Sequence, residues 1–128
     1  MGKSRIHFEN ADPILYVSNL QAAIHYYVDV LGFTNADWAY EDFTCVTRDN
    51  AGIYLCQGAQ GRPGAWVWVG VSDAQALYDE LKEKGARIHY PPRNYPWALE
   101  MHVQDLDGNV LRMGSDPLED KPYEMWQE

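Results

Sequence analysis

Two stretches of this chain, 54 residues apart, follow one template: Val17-Ser18-Asn19-Leu20-Gln21-Ala22 recurs as Val71-Ser72-Asp73-Ala74-Gln75-Ala76. In each copy an apolar run ends in Ser-x-x-Gln and leads into residues of helical period that stop at a glycine, Gly32 and Gly85. Ser-x-x-Gln reads as a capping box, with Ser18 or Ser72 accepting an amide of the first turn while the glutamine reaches back. A strand-to-helix joint used twice at this spacing predicts two similar halves. Such halves form one site between them, which directs the search for function.

The remaining pattern fits that duplication. Pro13 to Val17 reads as a strand, and Leu20, Ala23, Ile24, Tyr27, Val28 and Leu31 follow helical spacing up to Gly32. Strand-like segments follow at Thr34 to Tyr40, Asp42 to Arg48 and Gly52 to Gln57, with a hairpin turn at Asp49-Asn50-Ala51-Gly52. Gln57 to Gly64 is a Gly/Pro-rich connector at the midpoint, linking halves rather than independent domains. The second half offers a strand at Ala65 to Val71 and a helix at Ala74 to Lys84 with Ala74, Leu77, Tyr78 and Leu81 inward. A short strand at Arg87 to Tyr90, a proline-rich loop, and a closing hairpin of Trp97 to Gln104 with Asn109 to Met113 complete it.

The expected fold is α+β: tandem βαβββ modules forming a curved mixed sheet around a cavity, with the helices on the outer face. We expect a single domain over residues 1–128. Module one takes about residues 12–57, a linker 58–64, module two about 65–114, and an acidic tail 115–128.

A formal net charge of −9 argues against nucleic acid and anionic membranes as partners. No apolar stretch approaches the roughly 20 residues of a membrane span, and no apolar signal region follows the first residues. Met1-Gly2-Lys3-Ser4 only loosely matches a myristoylation start. Cys45 and Cys56 are isolated and read as free thiols of a reducing cytosol, so the cytoplasm is the expected location.

Val17-Ser18-Asn19-Leu20, Tyr26-Tyr27, Leu31-Gly32-Phe33 and Asp105-Leu106-Asp107-Gly108-Asn109 together resemble the vicinal-oxygen-chelate superfamily. That group includes glyoxalase I, extradiol dioxygenases and bleomycin-resistance proteins, and the resemblance spans about residues 11–114. Glu41-Asp42-Phe43 running to Arg48-Asp49, Ala65-Trp66-Val67-Trp68-Val69, and Pro96-Trp97 with Glu100 are most similar to the bleomycin-binding resistance proteins. Pro13 matches a proline that accompanies N-terminal strand exchange in those proteins. The resemblance implies a homodimer with ligand clefts at the subunit interface.

Catalytic members hold a divalent metal through His and Glu on inward strand positions. Matching the motifs puts those positions at Asp12 (or Ile14), Tyr54, Trp66 and Arg112. Trp66 offers no ligand atom and Arg112 would repel a cation, whereas a catalytic site needs about three protein ligands. No metal or other cofactor is therefore expected. His7 and His25 read as solvated, and His89 has no ligand partner at strand spacing. Glu100 and His102 share a strand face by the two-residue period, which keeps a rearranged metal or acid–base site with Asp12 open. No Gly-x-Ser-x-Gly and no phosphate loop occurs.

The same alternation places Trp66 and Trp68 on one face and Val67 and Val69 on the other. The resemblance adds Trp38 and Phe43 to the same cleft and Trp97 to its rim. Such rings clamp a planar group or face a cation; the plainer reading is that they fill space. Asp37, Glu41 and Asp42 favour a positive ligand, while Arg112 favours a carboxylate or phosphate unless Glu100 neutralises it.

The candidate ligand-binding residues are thus Trp38, Phe43, Tyr54, Trp66, Trp68, Trp97, Glu100, His102 and Arg112. The leading expectation is a metal-free, dimeric protein that sequesters an aromatic, cationic small molecule such as bleomycin-type antibiotics, conferring resistance by stoichiometric binding. The alternatives are a metal-dependent lyase or dioxygenase with a rearranged site around Asp12, Glu100 and His102, and a binding or sensor protein for another planar metabolite.

Overall fold

A computed structural model of the chain describes residues 5–126. The Met1-Gly2-Lys3-Ser4 segment and the last two residues of the acidic tail lie outside the described residues. Module one contains β1 (Ile14–Val17), α1 (Leu20–His25), β2 (Thr34–Asn35), β3 (Phe43–Arg48) and β4 (Ala51–Gln57). Module two contains β5 (Trp66–Gly70), α2 (Ala74–Glu83), β6 (Arg87–Asn94), β7 (Leu99–Gln104) and β8 (Val110–Ser115). Each forms a four-stranded mixed sheet of matching order, β1-β4-β3-β2 and β5-β8-β7-β6, whose first strand runs parallel to its last. The tandem βαβββ plan is therefore realised, as an α+β fold.

The helix starts differ from the sequence expectation. Asn19 and Asp73 are the N-caps, accepting from Ala22 N and Ala76 N at 3.0 Å each, so Ser18 and Ser72 are not. Asn and Asp cap at least as well as Ser, and the Ser18 amide is engaged elsewhere, donating to Asp107 Oδ1. The template glutamines do not reach back either. The first-turn amides Leu20 N and Ala74 N are instead satisfied by residues closing each module's last strand, Gln57 Oε1 and Ser115 Oγ.

α1 continues directly into a π-helical turn, Tyr26–Val30, with Leu31 N donating to Tyr26 O five residues back. In this wider turn the consecutive Tyr26 and Tyr27 are both buried. Gly32 and Gly85 end the two helices in the left-handed region, at φ +80° and +82°.

Two strands differ from their expected extents. β2 stops at Asn35, and residues 36–42 form a loop instead of a strand to Tyr40, in keeping with the weak strand preference of Asp37, Glu41 and Asp42. β6 in turn runs on through Pro91 and Pro92 to Asn94. It is an edge strand with two register irregularities, where a missing N–H costs no ladder bond.

One core joins the modules. Leu15, Val17, Val46, Ile53 and Leu55 of the first sheet and Met101, Val103, Leu111 and Met113 of the second are buried together with Leu20, Tyr27 and Leu81 of the helices. Each helix packs on the core face of its sheet, opposite the face that stays free, which is the outer-face placement expected. The Tyr26 hydroxyl donates to Gln104 O (2.6 Å) and accepts from Arg87 N (2.9 Å). Arg48 of β3 makes a forked pair with Glu80 of α2, at 2.8 and 2.9 Å. Among the described residues no helix is long and apolar enough to cross a membrane, and Cys45 and Cys56 are both free.

The β7–β8 turn is the tightest knot between the modules. Asp105, in the turn after β7, accepts from the Tyr27 hydroxyl, from Asp107 N, and from both the backbone and side-chain amides of Asn109. Asn109 in turn donates to Tyr16 O and accepts from Ala65 N. Gly108, at φ +79°, lets the turn close. Asp105→Ala strands several buried donors and is expected to lower unfolding free energy by about 3 kcal/mol or more, against about 1 kcal/mol for Tyr27→Phe. Urea unfolding of the two variants checks this; equal losses would show that the turn holds without its carboxylate.

Candidate functional site

The alternation of β3 and β4 determines what the free face of the first sheet carries. Thr44, Val46, Ile53 and Leu55 point to the core, which leaves Phe43, Cys45, Tyr54 and Cys56 on the other side. The Phe43 and Tyr54 rings stack at 5.4 Å and 19°, and Trp38 extends the stack over Phe43 at 6.3 Å and 29°. Tyr40 meets Trp38 from the side at 5.9 Å. Asp37, Glu41 and Asp42, all exposed, lie in the same loop as Trp38. This is a ring ladder with carboxylates beside it, suited to a flat cationic group.

On the second sheet Val67, Val69, Met101, Val103, Leu111 and Met113 pack on the core side. The free face then holds Trp66, Trp68, Glu100, His102 and Arg112, as strand parity predicts. Trp66 and Trp68 are 58% and 51% exposed. The Trp68 ring lies on the backbone of Gly114, where an added Cβ would come within 2.5 Å of it. A side chain there would force the ring off the sheet. Trp66 meets His102 edge-on at 5.4 Å.

A buried polar cluster lies among these rings. Glu100 is fully buried. It takes a two-pronged bond from Arg112 (Nε to Oε2 and Nη2 to Oε1, both 2.9 Å) and a third from Trp97 Nε1 at 2.5 Å. His102 Nε2 lies between Glu100 Oε2 at 3.3 Å and the Tyr90 hydroxyl at 2.8 Å. Burial pushes the Glu100 carboxyl up, but the Arg112 and Trp97 bonds outweigh it and hold it below the usual range. Burial lowers His102, only partly offset by Glu100, so the ring is neutral at neutral pH. Burial also raises the Tyr90 phenol, which stays protonated. Glu100 thus neutralises Arg112, and Arg93, stacked on Tyr90 at 3.8 Å, adds a positive charge.

The nine candidate residues fall into two groups. Trp38, Phe43 and Tyr54 share one face, and Trp66, Trp68, Trp97, Glu100, His102 and Arg112 share the other. The two groups lie on the free faces of two different sheets, and the clefts that the resemblance implies are at the subunit interface. A groove of about 470 Å³ between the modules lies elsewhere, lined by Leu31, Phe33, Arg48 and Glu80 among others, and none of the nine reaches it. Tyr40, Tyr90, Tyr95 and Trp126 belong to the aromatic faces but escape sequence reading. Tyr90 comes opposite His102 only through register shifts on both sides of it, which no strand period signals; the tail around Trp126 carries no periodic signal.

The donor chemistry does not fit the superfamily's metal. Of the positions that the resemblance assigns to metal ligands (Asp12 or Ile14, Tyr54, Trp66 and Arg112), Tyr54 is stacked on Phe43, Trp66 meets His102 edge-on and Arg112 is paired with Glu100, both of whose oxygens are engaged by Arg112 and Trp97. Asp12 is bonded to Asn10 at the start of the first sheet, away from Glu100 and His102, so that alternative trio is not assembled within one chain. Among the described residues no three His, Cys, Asp or Glu side chains gather to hold an ion.

Residues 6–113 match the model of the Glyoxalase/Bleomycin resistance protein/Dioxygenase superfamily. The chain belongs to this superfamily. No curated relative matches it by sequence. Among solved structures it is similar to the bleomycin-binding protein of bleomycin-producing Streptomyces verticillus, solved with copper(II)-bleomycin. That match has 24% identity and a TM-score of 0.74, covering 86% of this chain and 98% of that one. It is also similar to TnmS3, an antibiotic binding protein from Streptomyces sp. CB03234 (22%, TM-score 0.74, 89% and 100% covered). A glyoxalase/bleomycin resistance protein/dioxygenase from Nocardioides aligns as well (17%, TM-score 0.69, 96% and 93% covered). At these identities the superfamily member shares their fold.

Acid should weaken the protein in two stages. A neutral buried His102 becomes a protonated one on unfolding, so stability falls as pH drops below about 6.5. Glu100, held low, contributes stability above the usual carboxylate range that is lost as pH falls through its lowered value. Urea midpoints measured from about pH 7 to about pH 3 should show both limbs. Glu100→Gln should flatten the lower limb and cost about 2–3 kcal/mol at neutral pH, less than a fully buried pair because Arg112 keeps contact with solvent. A flat profile would contradict the assignment.

Proposed function

We propose that this superfamily member is a metal-free binding protein that sequesters an aromatic ligand carrying a cationic group, with bleomycin-type antibiotics as the leading ligands. The observation that carries the reading is chemical. The positions that the resemblance assigns to metal ligands are Asp12 or Ile14, Tyr54, Trp66 and Arg112; of these Tyr54 stacks on Phe43, Trp66 meets His102 and Arg112 pairs with Glu100, and each free face carries clustered rings. The antibiotic-binding structures of the same fold support small-molecule binding.

A homodimer fits this reading. The ring ladder of one chain and the Trp66–Trp68 face of another would together line a cleft that neither chain closes alone. Phe8, 99% exposed ahead of Pro13, is apolar surface that an exchanged N-terminal arm would cover. The mechanism is stoichiometric: the planar group is held between rings, the acidic loop faces its positive charge, and resistance rises with the amount of protein in the cytoplasm.

Tryptophan fluorescence titrated with bleomycin should quench to an endpoint near one ligand per subunit. No change up to high micromolar ligand would contradict the reading, as would a stoichiometric divalent metal retained after dialysis. Trp38→Ala should weaken binding about two- to ten-fold, the loss of one ring contact.

A further inference from the structure

The C-terminal tail carries a ring that the proposed function leaves unused. Beyond β8 the chain turns back to the end of β6, where the buried Asn94 ties it down. Asn94 Oδ1 accepts from Leu118 N at 2.8 Å, and its side-chain amide donates to Leu118 O, Lys121 O and Pro122 O at 2.9, 3.4 and 3.2 Å. The Asn94 carbonyl accepts from Glu124 N at 2.7 Å. Beyond this last tie Met125 is 84% exposed, yet Trp126 folds inward.

The indole of Trp126 lies over the Arg112 guanidinium at 4.8 Å. It meets His102 at 5.4 Å, Tyr95 at 5.8 Å and Trp97 at 6.3 Å, tilted by 45°, 47° and 49°. Tyr95 and Trp97 are themselves parallel at 4.8 Å and 2°, forming a double-thickness wall. Trp126 therefore fills a notch with a cationic floor and aromatic sides instead of extending a stack. It is held there by ring contacts alone, since its indole N–H makes no hydrogen bond to a described residue.

We propose that this notch is a subsite for a flat aromatic group of indole size, and that Trp126 occupies it in cis as a displaceable plug. The inference rests on reading the second sheet's free face as a binding face. A group tethered two residues beyond its last anchor competes at an effective concentration of millimolar order, so the plug masks the subsite from weak binders and admits ligands that outbid it. With Glu100 balancing Arg112 and Arg93 in excess, the notch accepts a neutral or anionic ring. The acidic ladder of the first sheet has the opposite preference.

Isothermal titration calorimetry with 8-anilinonaphthalene-1-sulfonate, an aromatic anion, tests this on the full-length protein and on Trp126→Ala and Trp126→Phe. Trp126→Ala is expected to bind the probe at least about five-fold tighter at one site per subunit, with Trp126→Phe between the two. Adding Trp97→Ala to Trp126→Ala should abolish the gain. Equal affinity, no binding, or a gain that survives Trp97→Ala overturns the subsite; weaker binding makes Trp126 a wall of the site and overturns the plug. The probe is not bleomycin, so a failure to bind that drug would contradict the proposed function and leave this result standing.

Discussion

The Asp105 carboxylate is the constraint on which the rest of the molecule depends. Fully enclosed, it gathers the Tyr27 hydroxyl from the first module and three amide donors from its own turn. Through Asn109 the same knot reaches Tyr16 O on β1 and Ala65 N before β5, so a single turn fixes both first strands and the helix between them. A buried carboxylate is costly unless every lone pair is used. Here three of its four donors belong to its own turn, and docking of the two modules adds the fourth, the Tyr27 hydroxyl. That docking in turn buries the inner sides of both helices in the shared core and leaves one face of each sheet open.

Those faces are alike in material and opposed in charge. The Trp38–Phe43–Tyr54 ladder is flanked by Asp37, Glu41 and Asp42, while the other face balances Arg112 on Glu100 and adds Arg93. A ligand spanning both would be read by stacking at each end and by opposite charges at the two ends. Glu100 matters here less as a chemical group than as a positioning residue: it turns Arg112 flat along the sheet and fixes Trp97 by its indole nitrogen. The duplicated scaffold thus carries rings and a neutralised cation on the free face of its second sheet.

Much of this was legible in the sequence, and the failures have physical causes. The repeat, the helix-ending Gly32 and Gly85, and the parity that turns Trp66 and Trp68 away from the core are local properties, and they appear where the pattern puts them. The caps were misread by one residue because Ser18-Asn19 and Ser72-Asp73 each offer adjacent cap formers. The choice is made by distant partners, Gln57, Ser115 and Asp107. Pro91 and Pro92 hid β6 because only an edge position tolerates them, and edge status is a tertiary fact. The division of the site residues between two sheets is a tertiary fact too, since no local pattern shows how the two modules dock. Trp126 was invisible because its placement rests on one long-range anchor, Asn94.

The central claim is that binding requires the ring ladder of one chain and the tryptophan face of another. Mixed dimers test it most directly, pairing a chain carrying Trp38→Ala and Phe43→Ala with one carrying Trp66→Ala and Trp97→Ala. Each homodimer should fail to bind bleomycin, while the purified mixed dimer should regain one site of near wild-type affinity. A mixed dimer that remains inactive, or homodimers that retain binding, would contradict a cleft shared between chains.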